Sequence, residues 1–363
     1  MDLNILVLPG DGIGPEVTRE AVKVLETVAG TGGHRLEVTD GVIGGAALCS
    51  TGHPLPPETR DRARKSGAVL LGAVGSPAFD GLPPQRRPEQ GLLELRRTMG
   101  VYANLRPVRA WAPLGNASPL QETVVAGTDL LIVRELTGGL YYGRPRGLFG
   151  DGARAEAVNT MRYSHAEIDR VARIAFEEAR RRRRKVTSVD KSNVLECSQL
   201  WRRVVAEVAA DYPEVELEHL LVDTCAMQLI LNPNRFDVLL TENMFGDILS
   251  DEAAVLVGSI GLLASASLGD AGPGGGRVGL YEPVHGSAPG LAGRGAANPL
   301  GAIGSAAALL RLSFGLAAEA DAVEAAIAAV IGNGVLTADL RPDQPAGTAE
   351  VGDAVCAALR RAA

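Results

Sequence analysis

The sequence predicts an α/β fold built as two lobes. Three observations point there. Short apolar runs alternate with stretches of helical periodicity along most of the chain. Several of those runs end in glycine-rich turns, as strands do where they feed helices. A length of 363 residues also exceeds what one hydrophobic core usually serves.

Asn4–Leu8 reads as a short apolar strand. It meets Pro9-Gly10-Asp11-Gly12-Ile13-Gly14, and Pro15 suits the first turn of a helix running to about Ala29. Ala68–Leu71 reads as a second strand, ending at Gly72 and Gly75. A loop with Pro77, Pro83, Pro84 and Pro88 follows, then a helix near Glu89–Met99. Asp129–Val133, Lys185–Val189, Leu217–Val222 and Phe236–Leu240 are further candidate strands. Leu136–Arg146, with Gly138, Gly139, Gly143 and Pro145, has the composition of an excursion or arm, and Ala271–Gly279 that of a glycine-rich surface loop. There is no internal repeat and no long linker, so the lobes are expected to interleave through close crossovers.

Composition narrows the function classes. The chain is 46% hydrophobic and 22% charged, ordinary for a soluble protein, and its net charge of −7 argues against a general nucleic-acid binder. The basic run Arg180–Lys185 reads as the close of a helix over Ile168–Ala179, where cations complement the helix dipole. Cys49, Cys197, Cys225 and Cys356 show neither C-x-x-C nor zinc-ligand spacing, and read as buried thiols in a reducing compartment. No signal peptide is expected at the start. The weakly polar stretches Ala253–Leu268 and Pro299–Leu310 fall short of the roughly 18 residues of a membrane span and are expected as core or interface helices.

Several motifs carry chemistry. The first glycine cluster is G-x-G-x-G rather than G-x-G-x-x-G, with no acidic end to a second strand about 20 residues on, so a dinucleotide-fold fingerprint is not met. Asp247 and Asp251 are four residues apart; on a helix their carboxylates share a face, which suits a divalent cation or merely a helix start. Glu89, Leu92, Leu93 and Arg96 lie at helical offsets on one face, an acid and an arginine flanking an apolar pair. That face suits a ligand with a branched alkyl group and a carboxylate; a snorkelling arginine at a stripe edge is the plain alternative. Arg106 and Arg134, at or near element ends, could join Arg96 in clamping a dicarboxylate, or form surface ion pairs. Lys191, just past a strand, is a candidate base, Tyr141 a candidate proton donor, and Asp223 an acid at a strand end.

In order along the chain stand LPGDGIGPEV (8–17), ANLRP (103–107), VRELTGG (133–139), YYG (141–143), VDKSNVLE (189–196), FGDILSD (245–251) and EPVHGSAP (282–289), followed by Asn298. Through these segments the chain resembles the decarboxylating β-hydroxyacid dehydrogenases, the isocitrate/isopropylmalate dehydrogenase family, over nearly its whole length, and the isopropylmalate branch above all. The resemblance implies a two-domain α/β fold with a shared mixed central sheet, not a Rossmann fold. Residues 1–101 with 258–363 would form the cofactor-binding domain. Residues 102–257 would form the substrate, metal and dimerisation domain, with an arm near 136–151. The implied reaction is NAD-dependent oxidative decarboxylation of 3-isopropylmalate to 2-oxoisocaproate and CO₂, in leucine biosynthesis in the cytoplasm, by a homodimer with shared active sites.

The resemblance also implies residue roles. Asp247 and Asp251, with Asp223 of the other subunit, would hold Mg²⁺ or Mn²⁺. Arg96, Arg106 and Arg134 would bind the malate carboxylates. Lys191 of the other subunit would be the base on the C2 hydroxyl and Tyr141 the acid that protonates C3. Leu92, Leu93 and the other subunit's Val194 would contact the isopropyl group, with Glu89 near the nicotinamide. The cofactor would take Ile13, Gly75, Glu282, His285, Gly286, Ser287, Ala288, Pro289 and Asn298.

One departure from the family pattern stands out. After Pro289 the NAD-linked members usually carry an aspartate that accepts bonds from the adenine ribose hydroxyls, and here the residue is Gly290. Weakened NAD affinity and a reduced preference for NAD over NADP are expected. Rivals are a family member acting on isocitrate, homoisocitrate or tartrate, which would want polar partners at Leu92 and Leu93, and a catalytically silent subunit, which would not need the full Lys, Tyr and Asp set.

Overall fold

The computed structural model describes residues 1–115, 117–272 and 276–362. β1 (Asp2–Gly10) turns through Asp11–Ile13 into α1 (Gly14–Gly32), with Pro15 in the first turn. Then come β2 (Arg35–Asp40), α2 (Gly44–Thr51), α3 (Pro57–Ser66), β3 (Ala68–Ala73) and α4 (Pro88–Met99). β4 (Ala103–Arg109), α5 (Glu122–Val125) and β5 (Asp129–Glu135) precede a hairpin of β6 (Arg146–Phe149) and β7 (Glu156–Asn159). α6 (His165–Arg180), β8 (Lys185–Asp190), α7 (Glu196–Ala209), β9 (Glu216–Leu221), α8 (Val222–Leu231), β10 (Val238–Thr241) and α9 (Asn243–Ala254) follow. The last elements are β11 (Ala264–Ala271), β12 (Arg277–Pro283), α10 (Leu300–Ser313), α11 (Ala317–Gly332) and α12 (Thr348–Ala362).

The chain divides into two units. The first comprises Met1–Val101, Trp111–Ala117 and Val257–Ala363, the second Tyr102–Ala110 and Ser118–Leu256. In the first unit the strands run in the order β2-β1-β3-β12-β11, parallel except for the antiparallel β11–β12 pair. β3 (Ala68–Ala73) is buried along its whole length, which is why it reads as an unbroken apolar run. Leu6, Leu8, Val69, Leu71 and Leu280 point to one side and pack with Ile43, Leu95 and Met99 from the helices covering it. Helices α1, α10, α11 and α12 pack on one another.

In the second unit the order is β4-β5-β10-β8-β9, parallel except for β4 against β5. α6 packs on β5, β10 and β8 and α7 on β8 and β9, while α9 packs on β4, β5 and β10 and α8 on β8 and β9. α6 opens on a capping box in which Ser164 and Glu167 each bond the other's backbone N–H.

Several expectations need correction. Val222 opens α8 instead of ending a strand, so Asp223 lies in the first turn of a helix. A second strand, β2, does end in an acid, Asp40, but its backbone carbonyl accepts from Arg62 at 2.6 Å. Arg106 sits mid-strand in β4. The stretch expected as an arm runs into the hairpin β6–β7, whose return strand begins at Glu156, beyond the expected bound at 151. Ala253–Leu268 is not one helix: it spans the end of α9, two 3₁₀ turns separated around Gly258 at φ +85°, and the start of β11. Within Ala271–Gly279, Ala271 ends β11 and Arg277–Gly279 belong to β12, and residues 273–275 lie outside the described residues. Of the cysteines only Cys225 and Cys356 are buried; Cys49 is exposed and Cys197 half-buried.

The basic run also does more than complement a helix dipole. Arg182 pairs with Asp129 at 2.5 Å and Asp237 at 2.9 Å, and Arg183 donates to the carbonyls of Asp129 and Phe236. The run therefore pins the start of β5 and the residues leading into β10. No helix among the described residues is long and apolar enough to cross a membrane.

Candidate active site

In the second unit, strand register gathers the predicted polar residues. Thr241 of β10 stands opposite both Arg134 of β5 and Val189 of β8, and Asp190 of β8 stands opposite Leu221 of β9. These strands are parallel, so Arg134, the start of α9, Lys191 and Asp223 all leave the sheet at its carboxyl edge, where α/β proteins place ligands.

Arg134 is buried, 5% exposed. Its Nε and Nη2 both donate to Asn243 Oδ1, at 3.0 and 2.8 Å, and its Nη1 donates to Asp247 Oδ1. Tyr141 Oη donates to the other oxygen of Asp247 at 2.8 Å. Burial, then the bond to Asp247, pushes the Tyr141 phenol above its ordinary value. One helical turn beyond Asp247, Asp251 accepts from Arg106 Nη1 at 3.3 Å; the same nitrogen donates to Ser250 Oγ at 2.6 Å. Gly246 makes this packing possible, since a Cβ there would lie 2.7 Å from Arg134 Cγ and 2.3 Å from Thr241 Oγ1.

Lys191 Nζ donates to Asp223 Oδ2 at 2.9 Å, and this bond holds the Asp223 carboxyl below its usual range. The turn that presents Lys191 is fixed from behind. Asp190, buried, takes both Nε and Nη2 of Arg202 at 2.9 and 3.0 Å and accepts from Ser192 N, while Ser198 Oγ accepts from Lys191 N at 3.1 Å. Val194, in the same turn, is exposed. Among the described residues no group of three or more His, Cys, Asp or Glu side chains is placed to hold a metal ion.

In the first unit, α4 resolves the puzzle of an arginine on an apolar stripe. Its core face is Pro88, Gly91, Leu95 and Met99, and Gly91 comes so close to Pro54 that a Cβ would lie 2.4 Å from the carbonyl oxygen. Leu92, Leu93 and Arg96 are half-buried, Leu92 packing against the core cluster, and Glu89 is exposed. Arg96 Nη2 donates to Glu282 Oε1 at 2.7 Å. Glu282, expected among the cofactor residues, thus engages a substrate-arginine candidate.

The remaining cofactor candidates converge at the carboxyl ends of β1, β3 and β12. Gly10 is in register with Ala73, so the turns after β1 and β3 emerge together. Ile13 N donates to Ser287 O at 2.8 Å, and a Cβ on Gly12 would lie 1.9 Å from that oxygen, so only glycine allows the approach. Gly75, at φ +138°, lies such that an added Cβ would be 3.4 Å from Ser287 Oγ and 3.5 Å from Glu89 Oε1. His285 is buried, which pushes its imidazole below the ordinary value; its Nδ1 faces Gly286 O at 2.9 Å and its Nε2 has no partner. Ala288, at φ +37°, precedes the exposed Pro289 and Gly290. Asn298 lies further along, donating to Asp339 Oδ2 at 3.1 Å and accepting from Leu300 N at 3.0 Å.

Sequence reasoning missed three residues that organise these clusters. Asp11, buried, accepts from Gly45 N, Ala46 N and Gly75 N, each at 2.8 Å. It thereby caps α2, whose own N-cap Ile43 has no side chain to do so. Asn243 holds the Arg134 fork. Glu242 caps α9 through Phe245 N at 2.6 Å and accepts from Tyr163 Oη at 3.1 Å; burial pushes its carboxyl up. The available signal for Asp11 was an acid between two glycines with no cation nearby in sequence.

The isocitrate/isopropylmalate dehydrogenase family model matches residues 4–355. The chain is 54% identical to a 3-isopropylmalate dehydrogenase of Shouchella clausii over 99% of this chain and 98% of the relative. It is 51% identical to one of Aquifex aeolicus over 99% and 97%. Among solved structures, an isocitrate dehydrogenase from Methylococcus capsulatus superposes with TM-score 0.84 at 36% identity, covering 98% of this chain and 99% of that one. A β-decarboxylating dehydrogenase from Thermococcus kodakarensis gives 0.80 at 37%, covering 99% and 96%. With a match spanning nearly its full length, the chain belongs to the isocitrate/isopropylmalate dehydrogenase family.

Proposed function

We propose that the chain catalyses oxidative decarboxylation of 3-isopropylmalate to 2-oxoisocaproate and CO₂, with NAD as hydride acceptor, in cytoplasmic leucine biosynthesis. Relatives above 50% identity over nearly the full length carry that activity in their names. The observation that carries the reading is the chain Arg134–Asp247–Tyr141, an anion-binding fork and a protonated phenol sharing one carboxylate.

Arg96, Arg106 and Arg134 bind and orient the two carboxylates of the substrate, as planar forks do. Leu92 and Leu93, with Val194 from a second copy, receive the isopropyl branch, and Glu89 lies toward the nicotinamide. Lys191 removes the C2 hydroxyl proton as the C2 hydride passes to the nicotinamide, leaving a 2-oxo acid. The β-carboxylate then departs as CO₂, and its bonding pair is taken up at C3 by the proton from Tyr141. Substrate and NAD⁺ thus become 2-oxoisocaproate, CO₂ and NADH. The loops bearing Ile13, Gly75, Glu282, His285–Pro289 and Asn298 hold the dinucleotide in the discontinuous first unit.

Asp247, Asp251 and a second copy's Asp223 fit Mg²⁺ or Mn²⁺ by their donor chemistry: oxygen only, anionic and partly open to solvent. A bound divalent cation there supplies Lewis-acid polarisation of the C2 oxygen and its neighbouring carboxylate. Homodimerisation goes with this reading. Met227, Ile230 and Leu231 of α8, Ile248 of α9 and Val255 just after it expose apolar surface, as do Leu148 and Phe149 on the hairpin β6–β7. Such a set of exposed apolar side chains marks an interface more often than free surface.

Isocitrate is the rival substrate. The apolar pair Leu92 and Leu93 favours the alkyl branch over a third carboxylate. Turnover of 3-isopropylmalate with NAD and Mg²⁺, set beside isocitrate with NADP, tests the reading; faster turnover of isocitrate would overturn it.

A further inference from the structure

We infer that Asn243 is a positioning residue: its neutral amide aims the Arg134 fork at a substrate carboxylate without adding a second anion beside the one Asp247 supplies. The inference rests on the proposed function, because it takes Arg134 as a carboxylate binder.

Asn243 is 1% exposed and opens α9 directly after the Glu242 cap. Its Oδ1 accepts from Arg134 Nε and Nη2 together. Its Nδ2 donates to Gly138 O at 3.2 Å, and its backbone N donates to Tyr163 Oη at 3.0 Å. Both faces of the amide are therefore committed, and the side chain cannot swing without breaking a buried bond. Of the guanidinium's five N–H donors, one on Nε, one on Nη2 and one on Nη1 are engaged by Asn243 and Asp247. Two remain for a ligand, and the bidentate grip fixes the plane in which they lie.

The chemistry of the acceptor matters as much as its position. A carboxylate in this place would hold the fork equally well but would neutralise it, and Asp247 already supplies one anion to the same group. An amide oxygen orients the guanidinium without competing with an incoming carboxylate for its charge. The Nδ2 bond to Gly138 O adds a second task. Gly138 is the N-cap of the 3₁₀ turn Gly139–Tyr141, so one side chain holds both the fork and the base of the turn that carries the phenol.

The test compares wild type with N243D and N243S in the intact protein, reading KM for 3-isopropylmalate, KM for NAD, kcat and Tm. N243D keeps the shape and both acceptor bonds to the fork but adds a charge and, like N243S, loses the Nδ2 donor to Gly138 O. Its KM for 3-isopropylmalate is expected to rise about tenfold or more, with KM for NAD within about twofold and kcat lowered by the lost tether. N243S, too short to reach Arg134, is expected to raise substrate KM and also lower kcat, since the Gly138 tether is lost. The assignment is overturned if N243D leaves substrate KM within about twofold of wild type, or if KM for substrate and NAD rise in parallel with a falling Tm. Should N243D not fold, N243S decides alone by the same criteria. A wild type that does not turn over 3-isopropylmalate overturns the proposed function itself, a result separate from the behaviour of the variants.

Discussion

Tyr141 and Arg134 share the carboxylate of Asp247, the phenol donating to Oδ2 at 2.8 Å and the guanidinium to Oδ1. The proposed acid, the proposed carboxylate-binding fork and a proposed cation ligand are thereby fixed relative to one another within the second unit. Tyr141→Phe is expected to lower kcat by about 10²–10⁴-fold, the usual range for a lost general acid, with little change in substrate KM. Because burial and Asp247 raise the phenol's pKa, its ionisation should not curtail kcat below the ordinary tyrosine value of about 10. Initial rates across pH check both points; a wild-type limb well below that value that vanishes in the variant contradicts them.

Gly246→Ala drives a methyl group into Arg134 and Thr241. Overpacking of this kind costs about 1–3 kcal/mol, and displacement of the fork should raise substrate KM while leaving KM for NAD unchanged. Denaturant unfolding and initial rates measure the two effects. A variant of wild-type stability and KM would show that Arg134 does not depend on this packing.

Much of this was legible in sequence, for a physical reason. Strands buried on both faces, such as Ala68–Ala73 and Asp129–Glu135, write themselves as continuous apolar runs. The exposed hairpin Arg146–Phe149 and Glu156–Asn159 buries almost nothing and leaves only a glycine signature. Tyr141, Lys191 and the aspartates were visible because the residue types carry their own chemistry. Asp11 and Asn243 were not, since their work is to bind backbone N–H groups or a guanidinium far off in the chain, Gly75 lying 64 residues from Asp11 and Arg134 lying 109 from Asn243. Pairings of that kind follow from strand register, which no local pattern records.

Asp11→Ala removes the cap of α2 and frees the Gly75 turn. A stability loss of about 0.5–2 kcal/mol is expected from the cap alone, together with weaker NAD binding. Equilibrium unfolding and NAD titration check this pair of effects. Loss of stability with unaltered NAD affinity would separate Asp11 from the cofactor loops.

Gly290→Asp is expected to tighten NAD binding by restoring an acceptor for the ribose hydroxyls. The position tolerates the change: Gly290 is exposed, and an added Cβ meets nothing within 4 Å. NAD titration of the two proteins decides it, and an unchanged or weaker affinity would count against the departure having any effect on the cofactor.

In the proposed mechanism each active site draws Lys191 and Asp223 from one copy and Asp247 from another, so neither copy alone would complete it. The most direct measurement is subunit mixing. Asp223→Asn and Asp247→Asn proteins, each inactive alone, are unfolded, combined in equal amounts and refolded. Random pairing in a two-fold dimer should restore about a quarter of the wild-type sites, with activity to match. Activity no higher than that of either parent would contradict a site shared between subunits.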